Sequence, residues 1–311
     1  MNLFKTLFLP LGLCLAIMSS LLMPSFGKWV SNQNCYSYLV SIIFLLNGFD
    51  FKTKDWSFTK DKLLKVFYFS FISLAVAPAL AYFIANVFQL SFGWMLGFYV
   101  MACVPTTLSS GIVITSEAKG DKNTAVILTL VMSFLGVFIL PFSLGFLLQN
   151  NESLSIQPIS MMYDLCCTVL LPFLLGLVIK KVLKTSYTVG NYIPSSIVIL
   201  VVYSSASKSN QILLETTLSS FLLISIASMC LHFSLMVLIH ASNKIFKTSR
   251  TESIAYLICG SQKTLPISIA VLSTFNNTTS DALIMCITLH FIQLIFDSFL
   301  ATKLKYHGNV S

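Results

Sequence analysis

The chain has 311 residues, of which 56% are hydrophobic and only 10% charged, with a mean hydropathy of +0.85 and a formal net charge of +8. A water-soluble domain of this length carries about 25% charged residues, so too few are present to cover a water-facing surface, and lipid is the implied solvent. The positive charge falls in short groups with no long basic run interleaved with aromatics, which excludes a nucleic-acid-binding surface.

A membrane span needs about 20 mostly apolar residues. Ten candidate segments follow one another at 6–26, 36–50, 63–88, 93–116, 123–148, 164–183, 192–207, 216–240, 252–274 and 281–302. The second and seventh are short, which calls for little tilt, shielding by neighbours or a longer helix. The stretch from Met1 to Lys28 also fits a cleaved signal sequence; an uncleaved span is preferred, and cleavage would leave nine crossings in the same orientation.

With a cytoplasmic amino terminus, the inner gaps hold Lys5, then Lys52, Lys54, Lys60, Lys62 and Lys65, then Lys119 and Lys122. Lys180, Lys181 and Lys184 follow, then Lys244, Lys247 and Arg250, and finally Lys303 and Lys305. The outer gaps hold only Lys28 and Lys208. This is a strong positive-inside pattern, and its alternation requires ten crossings with both termini cytoplasmic; a plasma or inner membrane is assumed.

Seven of the eight cysteines, Cys14, Cys103, Cys166, Cys167, Cys230, Cys259 and Cys286, lie within spans, and Cys35 lies near an interface. That placement implies packing, with no disulfide framework and no metal-ligand spacing. The Asn276 to Thr279 run matches a glycosylation acceptor on the outer side.

Five spans precede a polar break at Gln149–Ser160 and five follow it. An odd number per half makes the halves enter from opposite sides, the arithmetic of an inverted repeat. The fold expected is therefore all-α and polytopic, with one five-helix repeat at 1–150 and a second at 158–305.

The fourth and ninth spans carry helix-breaking residues at mid-depth. Cys103-Val-Pro-Thr-Thr-Leu-Ser-Ser-Gly111 contains Pro105, Thr106, Thr107, Ser109, Ser110 and Gly111, and Gly260-Ser-Gln-Lys-Thr-Leu-Pro266 contains Ser261, Gln262, Lys263 and Thr264. Pro105 and Pro266 remove backbone donors, while Gly111 and Gly260 permit unwound geometry. Backbone freed in this way must line a cavity or be buried in protein. Simple kinks satisfied by Ser and Thr are the alternative.

Lys263 lies inside a span, where a lysine costs about 2.5–3.5 kcal/mol on insertion scales. A bound anion, a carboxylate, carbonyls or loss of its proton must compensate the charge; pairing with Asp297 of the tenth span is the packing account, and a place in a translocation site is preferred. His290 and Gln293 share a face of the tenth span, as Thr129 and Ser133 share one of the fifth. His232 and Asn86 read as interhelical hydrogen-bonders, and Glu117 and Asp121 as solvated groups at the inner mouth.

Pro105 to Gly111, Ala118-Lys-Gly-Asp121 and Leu135-Gly-Val-Phe-Ile-Leu-Pro141 resemble the fourth and fifth helices of the bile acid:sodium symporter superfamily. Cys259-Gly-Ser-Gln-Lys-Thr264 and His290-Phe-Ile-Gln293 are similar to its bile-acid-symporter-like branch, and Phe44-Leu-Leu-Asn-Gly48 extends the likeness to the second span. The resemblance implies spans 3–5 and 8–10 as a core with helices 4 and 9 broken at the midplane. Spans 1, 2, 6 and 7 would form a panel, with substrate in the crevice between the two.

Of the family's sodium ligands, Ser110, Thr129 and Gln262 match. Gly111 stands where the family has asparagine, Ala125 where it has serine, Ile258 where it has the sodium-binding glutamate, and Lys263 where it has asparagine. Losing an anionic ligand and gaining an ammonium makes the pocket more positive by about two charges, which repels sodium.

The function expected is that of a secondary active transporter of an organic anion, without cofactor, coupled to sodium or to protons. Its partners are that solute and the bilayer; the sequence names no protein partner. A membrane regulatory protein of the same fold that transports little is the alternative. Paired intramembrane carboxylates, a Ser–His pair with a base and a His-Glu-x-x-His motif are all missing from the sequence, which argues against an enzyme.

Overall fold

A computed structural model describes residues 3–33, 35–51, 59–149, 157–183, 189, 192–275 and 280–307. Lys52, Lys54, Lys184, the central part of the polar break and the Asn276 to Thr279 run lie outside these residues. Every regular element among the described residues is helical. They are α1 (Leu3–Leu22), α2 (Pro24–Asn32), α3 (Tyr36–Asp50), α4 (Lys60–Val87), α5 (Phe92–Cys103), α6 (Ser110–Glu117) and α7 (Lys122–Leu148). There follow α8 (Pro158–Leu183), α9 (Tyr192–Lys208), α10 (Asn210–Glu215), α11 (Leu218–Ile245), α12 (Arg250–Ser261), α13 (Leu265–Ser273) and α14 (Ser280–His307).

Six helices, counting Arg250–Ser273 as one, are long and apolar enough to cross a membrane, and seven if the bent pair α1–α2 forms one span. Tyr36–Asp50 and Phe92–Cys103 are shorter apolar helices. The molecule is an integral, multi-pass membrane protein.

The first segment differs from expectation. Instead of running to residue 26, α1 stops at Leu22 and the chain turns by 99° into α2. Pro24, in the first turn of α2, has no N–H to continue α1, and Met23 leaves helical geometry at φ −137°, ψ 68°.

Two helices widen into a π turn, at Ile72–Val76 in α4 and Cys166–Leu170 in α8. Both have one cause. Pro78 and Pro172 each stand two residues past the π turn, and the intervening Ala77 and Leu171 N–H groups reach back to the Ile72 and Cys166 carbonyls. The wider turn relieves the clash a proline ring makes with the carbonyl four residues earlier. In α4 the next carbonyl, that of Ser73, would be served by the N–H that Pro78 lacks.

The helices form two groups. In one, α1 and α2 pack on α9, and α3 packs on α8. Gly48 and Gly176 set the α3–α8 spacing reciprocally: a Cβ on Gly48 would collide with the Phe173 carbonyl, and one on Gly176 with the Leu45 carbonyl. In the other group α5 packs on α14, α11 on α12 and α14, and α7 on α4 and α12. Gly97 lets α5 approach the backbone of Ala282 in α14.

Elements of the second group come in matching pairs. Helices α4 and α11 are each 28 residues long. Thr59 caps α4 by accepting from Lys62 N–H at 3.3 Å, and Thr217 caps α11 by accepting from Ser220 N–H at 3.2 Å. Each ends in a phenylalanine followed by a left-handed residue, Gln89 at φ 48° and Lys247 at φ 47°. The next N–H closes the end on the carbonyl five back, Leu90 to Ala85 and Thr248 to Asn243, both at 3.1 Å. A 12-residue helix follows in each case, α5 or α12.

Four basic segments share one face. Lys62 at the start of α4 pairs with Asp121 at 3.2 Å. The Asp121 N–H donates to the Thr251 carbonyl at 2.8 Å, and Arg250 donates to the Leu304 carbonyl at 3.1 Å. Asp121, expected to be solvated, is instead the N-cap of α7 and accepts from the Asn123 and Thr124 N–H groups. Its partial burial pushes the carboxyl up, but the Thr124 hydroxyl, Lys62 and the Asn123 N–H outweigh this and hold it below the usual value. Asn86 also departs from expectation, donating to Tyr82 O on its own helix at 2.7 Å.

Candidate functional site

Two interruptions face each other at the centre of the second group. The first runs from Val104 to Ser109, between α5 and α6. Val104 precedes Pro105, which disfavours helical geometry, and it is extended at φ −69°, ψ 151°. The second comprises Gln262, Lys263 and Thr264, between α12 and α13, and begins with Gln262 at φ −73°, ψ 152°. The prolines bound these breaks from different sides: Pro105 follows a helix, whereas Pro266 sits in the first turn of α13, where a missing N–H is tolerated.

The glycines serve another purpose than the expected one. Gly111 and Gly260 lie inside helices, and they allow close approach instead of unwinding. A Cβ on Gly111 would stand 3.1 Å from Gln262 Oε1, and one on Gly260 2.8 Å from Ile239 Cδ1.

Each break supplies donors to the other. Thr264 N–H donates to Pro105 O at 2.9 Å, and the Lys263 amine donates to Val104 O at 3.2 Å. The same amine reaches the Ser73 carbonyl and, at 3.2 Å, the Ser73 hydroxyl in the π turn of α4. Lys263 is thus an internal brace on three neutral oxygens, and its residue is 1% exposed. It meets neither Asp297 nor the cavity; of the compensating groups that the sequence left open, it takes main-chain carbonyls. The physical reason is Pro78, which leaves the Ser73 carbonyl short of a donor.

The main chain of Lys263 is clasped by α14. Gln293 accepts from Lys263 N–H at 2.9 Å and its amide donates to Lys263 O. Nδ1 of His290 lies 3.2 Å from Lys263 O and 2.9 Å from the Gln293 amide nitrogen. Gln262 bonds through both ends of its amide. Its Oε1 accepts from Thr107 at 2.9 Å and from Ser110 at 3.5 Å, and its amide donates to Asp297 Oδ2 at 2.6 Å. Thr107 also bonds Ser110 at 2.6 Å and caps α6 by accepting from Gly111 N–H at 3.0 Å.

Beside this network is a cavity of about 40 Å³. The breaks and α13–α14 contribute Thr107, Ser109, Ser110, Thr264, Pro266 and His290 to its wall. The facing wall comes from Leu9 of α1, Ile43, Phe44 and Asn47 of α3, and Pro194, Ser195 and Val198 of α9. These latter residues lie toward the amino ends of α1 and α9 and the carboxyl end of α3. Phe8 of α1 meets Tyr192 of α9 at 5.1 Å between ring centroids, so those ends share one side.

Among the other candidates, Thr106 is buried with an unpartnered hydroxyl. Ser261 donates to Leu257 O at 2.7 Å and Thr129 to Ala125 O at 2.6 Å, each on its own helix. The oxygens matched to sodium ligands are placed differently. Ser110 and Gln262 converge, Thr129 stays with α7, and Ile258 is buried and apolar. Ser73, Asn47 and Ser195 were not singled out from sequence, and Asp297 only as a partner for Lys263. Asp297 extends the His290–Gln293 stripe by one more turn, a signal that was available.

The sequence profile of the SBF-like CPA transporter family matches residues 8–306. A rice protein (Oryza sativa subsp. indica) named probable sodium/metabolite cotransporter BASS4, chloroplastic, is 27% identical over 94% of this chain and 74% of its own length. Its Arabidopsis thaliana counterpart of the same name is 25% identical over 94% and 71%. Sodium/bile acid cotransporter 7 of Mus musculus is 24% identical over 84% and 80%.

Proposed function

Because the chain belongs to the SBF-like CPA transporter family, and so to the bile acid:sodium symporter superfamily, it is a transporter and not an enzyme, and we propose that it carries a small organic anion by alternating access. The observation that carries this reading is the cavity, walled on one side by two interrupted helices and on the other by α1, α3 and α9. At about 40 Å³ it has room for a few water molecules only. A metabolite enters when the two helix groups move apart, and the volume fits a conformation with the site collapsed.

The group containing α1, α3, α8 and α9 acts as the panel, and the group containing α4–α7 and α11–α14 as the core. Matching caps, lengths and breaks in α4–α5 and α11–α12 support the inverted repeat, with ten crossings. The shared basic face is cytoplasmic by the positive-inside rule, in a plasma or inner membrane. The panel residues of the cavity lie in the half of the molecule next to that face.

No lysine or arginine lines the cavity among the described residues, so an anion there meets hydroxyls of Thr107, Ser109, Ser110 and Thr264 and the amino ends of α6 and α13. The relatives' names speak of sodium; here the Lys263 amine takes the place of a cation among the Ser73 and Val104 oxygens. Uptake of radiolabelled organic anions into proteoliposomes, with sodium or choline outside, tests this. Sodium-independent uptake that is impaired in Lys263→Ala is expected. Strict sodium dependence with an unaffected variant would rule out the replacement, and no uptake of any anion would end the transport reading.

A further inference from the structure

The cavity wall formed by α1, α3 and α9 is apolar except at two positions, Asn47 and Ser195. Ile43, Phe44 and Asn47 of α3 reach it with the same i, i+1, i+4 spacing as Pro194, Ser195 and Val198 of α9, one face of each helix. The rotation of α3 is fixed by the residue next to Asn47. Gly48 is held against the Phe173 carbonyl of α8, and one residue of helix is about 100° of turn, so Asn47 is carried round to the cavity.

Neither side chain is committed to the protein. Asn47 and Ser195 make no side-chain hydrogen bond with any described residue, although Ser195 is only 8% exposed. Other serines of the same two helices satisfy themselves: Ser41 donates to Ser37 O at 2.8 Å and Ser204 to Val201 O at 3.0 Å. Across the cavity, Thr107 and Ser110 are tied to Gln262, and His290 to the Lys263 carbonyl. The hydroxyls of Ser109 and Thr264 stay open there. Each is the N-cap of its helix, α6 or α13, and neither makes the capping bond.

A polar group that loses water without gaining a partner opposes binding. When the helix groups close on a carboxylate held at Ser109, Thr264 and the amino ends of α6 and α13, Asn47 and Ser195 lose water at the other side of the same molecule. An alkyl tail leaves both unpaired. A hydroxyl on the ligand answers both, donating to the Asn47 side-chain oxygen and accepting from the Ser195 hydroxyl. No Asp, Glu, Lys or Arg lines the cavity among the described residues, so an ammonium or a second carboxylate on the ligand finds no counter-ion there.

We infer that, resting on the transporter reading above, Asn47 and Ser195 are the specificity-determining residues of the panel, and that they select a monocarboxylate bearing a neutral hydroxyl away from its anionic end. The core wall holds the charge, which every carboxylate shares. The panel wall reads the rest of the molecule, which differs from one carboxylate to another.

The test compares matched ligands on the purified full chain. Thermal unfolding is followed while butyrate, its 2-, 3- and 4-hydroxy derivatives, the corresponding aminobutyrates and succinate are each titrated, giving an apparent Kd for each. In wild type, one hydroxybutyrate is expected to bind about two- to tenfold more tightly than butyrate, the contribution of one neutral hydrogen bond, with the aminobutyrates and succinate no better than butyrate. Asn47→Leu and Ser195→Ala bring that ratio toward one, Ser195→Thr keeps the hydroxyl and the ratio, and Ser109→Ala weakens both ligands alike. A change in fold alone moves both ligands together, so the ratio reports selection, and the wild-type ratio decides even where a variant does not fold. Equal binding of butyrate and every hydroxybutyrate would overturn the inference. So would a preference for an ammonium or a second carboxylate, or a ratio that survives in both Asn47→Leu and Ser195→Ala. Uptake of the same acids, radiolabelled, into proteoliposomes is measured in parallel. Uptake without hydroxyl preference removes this inference and leaves transport, discriminating binding without uptake removes transport and leaves the inference, and absence of both overturns both.

Discussion

Replacing Lys263 by methionine removes an amine that serves two buried main-chain carbonyls, Ser73 O and Val104 O. An orphaned buried acceptor costs about 1–3 kcal/mol, so the loss is about 2–6 kcal/mol, less the relief of no longer burying the amine. That relief can be cancelled by a second change. The Ser73 carbonyl lacks a donor because Pro78 has no N–H, so Pro78→Ala supplies one inside α4. In the wild-type background this substitution has little to repair. In Lys263→Met it restores one carbonyl and recovers about 1–3 kcal/mol, and the relief term, common to both backgrounds, drops out of the cycle. Thermal unfolding of the four purified proteins measures the coupling, as a Tm shift below about 2–4 °C per kcal/mol because the shift shrinks as the chain lengthens. Additive shifts, with Pro78→Ala acting equally in both backgrounds, would refute the account of Lys263 as a replacement donor.

Lys263→Asn exchanges the ammonium for a neutral oxygen donor and is expected to make uptake, or thermal stability, respond to sodium over choline where wild type does not. Gly48→Ala places a methyl against the Phe173 carbonyl, which cannot turn aside, and is expected to destabilise the α3–α8 contact by about 1–3 kcal/mol, read as a lowered Tm. The depressed Asp121 carboxyl contributes stability that is present above its unfolded value of about pH 4 and fades as pH falls through its lower folded value. Asp121→Asn should therefore lower Tm at neutral pH and flatten the loss below pH 4, as a Tm series across pH will show.

The helical segments were legible because lipid admits little else: an apolar run of sufficient length with charges confined to its ends reads as a span. The two interruptions were legible too, since Pro105 and the polar stretch Ser261 to Thr264 have no place in an ordinary apolar helix. The bend after Leu22 was less so, because Pro24 sits in a run that remains apolar on both sides. The role of the glycines at 111 and 260 was misjudged for a different reason. Freedom of φ and absence of a Cβ are both properties of glycine, and only a neighbour at close range, Gln262 or Ile239, tells which one is used.

Composition and charge order determined that this chain lives in a bilayer and which of its helix ends are basic, and the placing of prolines and polar residues marked the two central breaks, because those are local properties of solvent and backbone. Partnership among buried polar groups was decided only in three dimensions. Lys263 could have met Asp297, an anion or a carbonyl on energetic grounds. A proline 185 positions earlier, by silencing one N–H in α4, drew the amine to Ser73 and left Asp297 to His232 and Gln262. Hydrogen bonds between residues so far apart in the chain leave no periodic trace in the sequence.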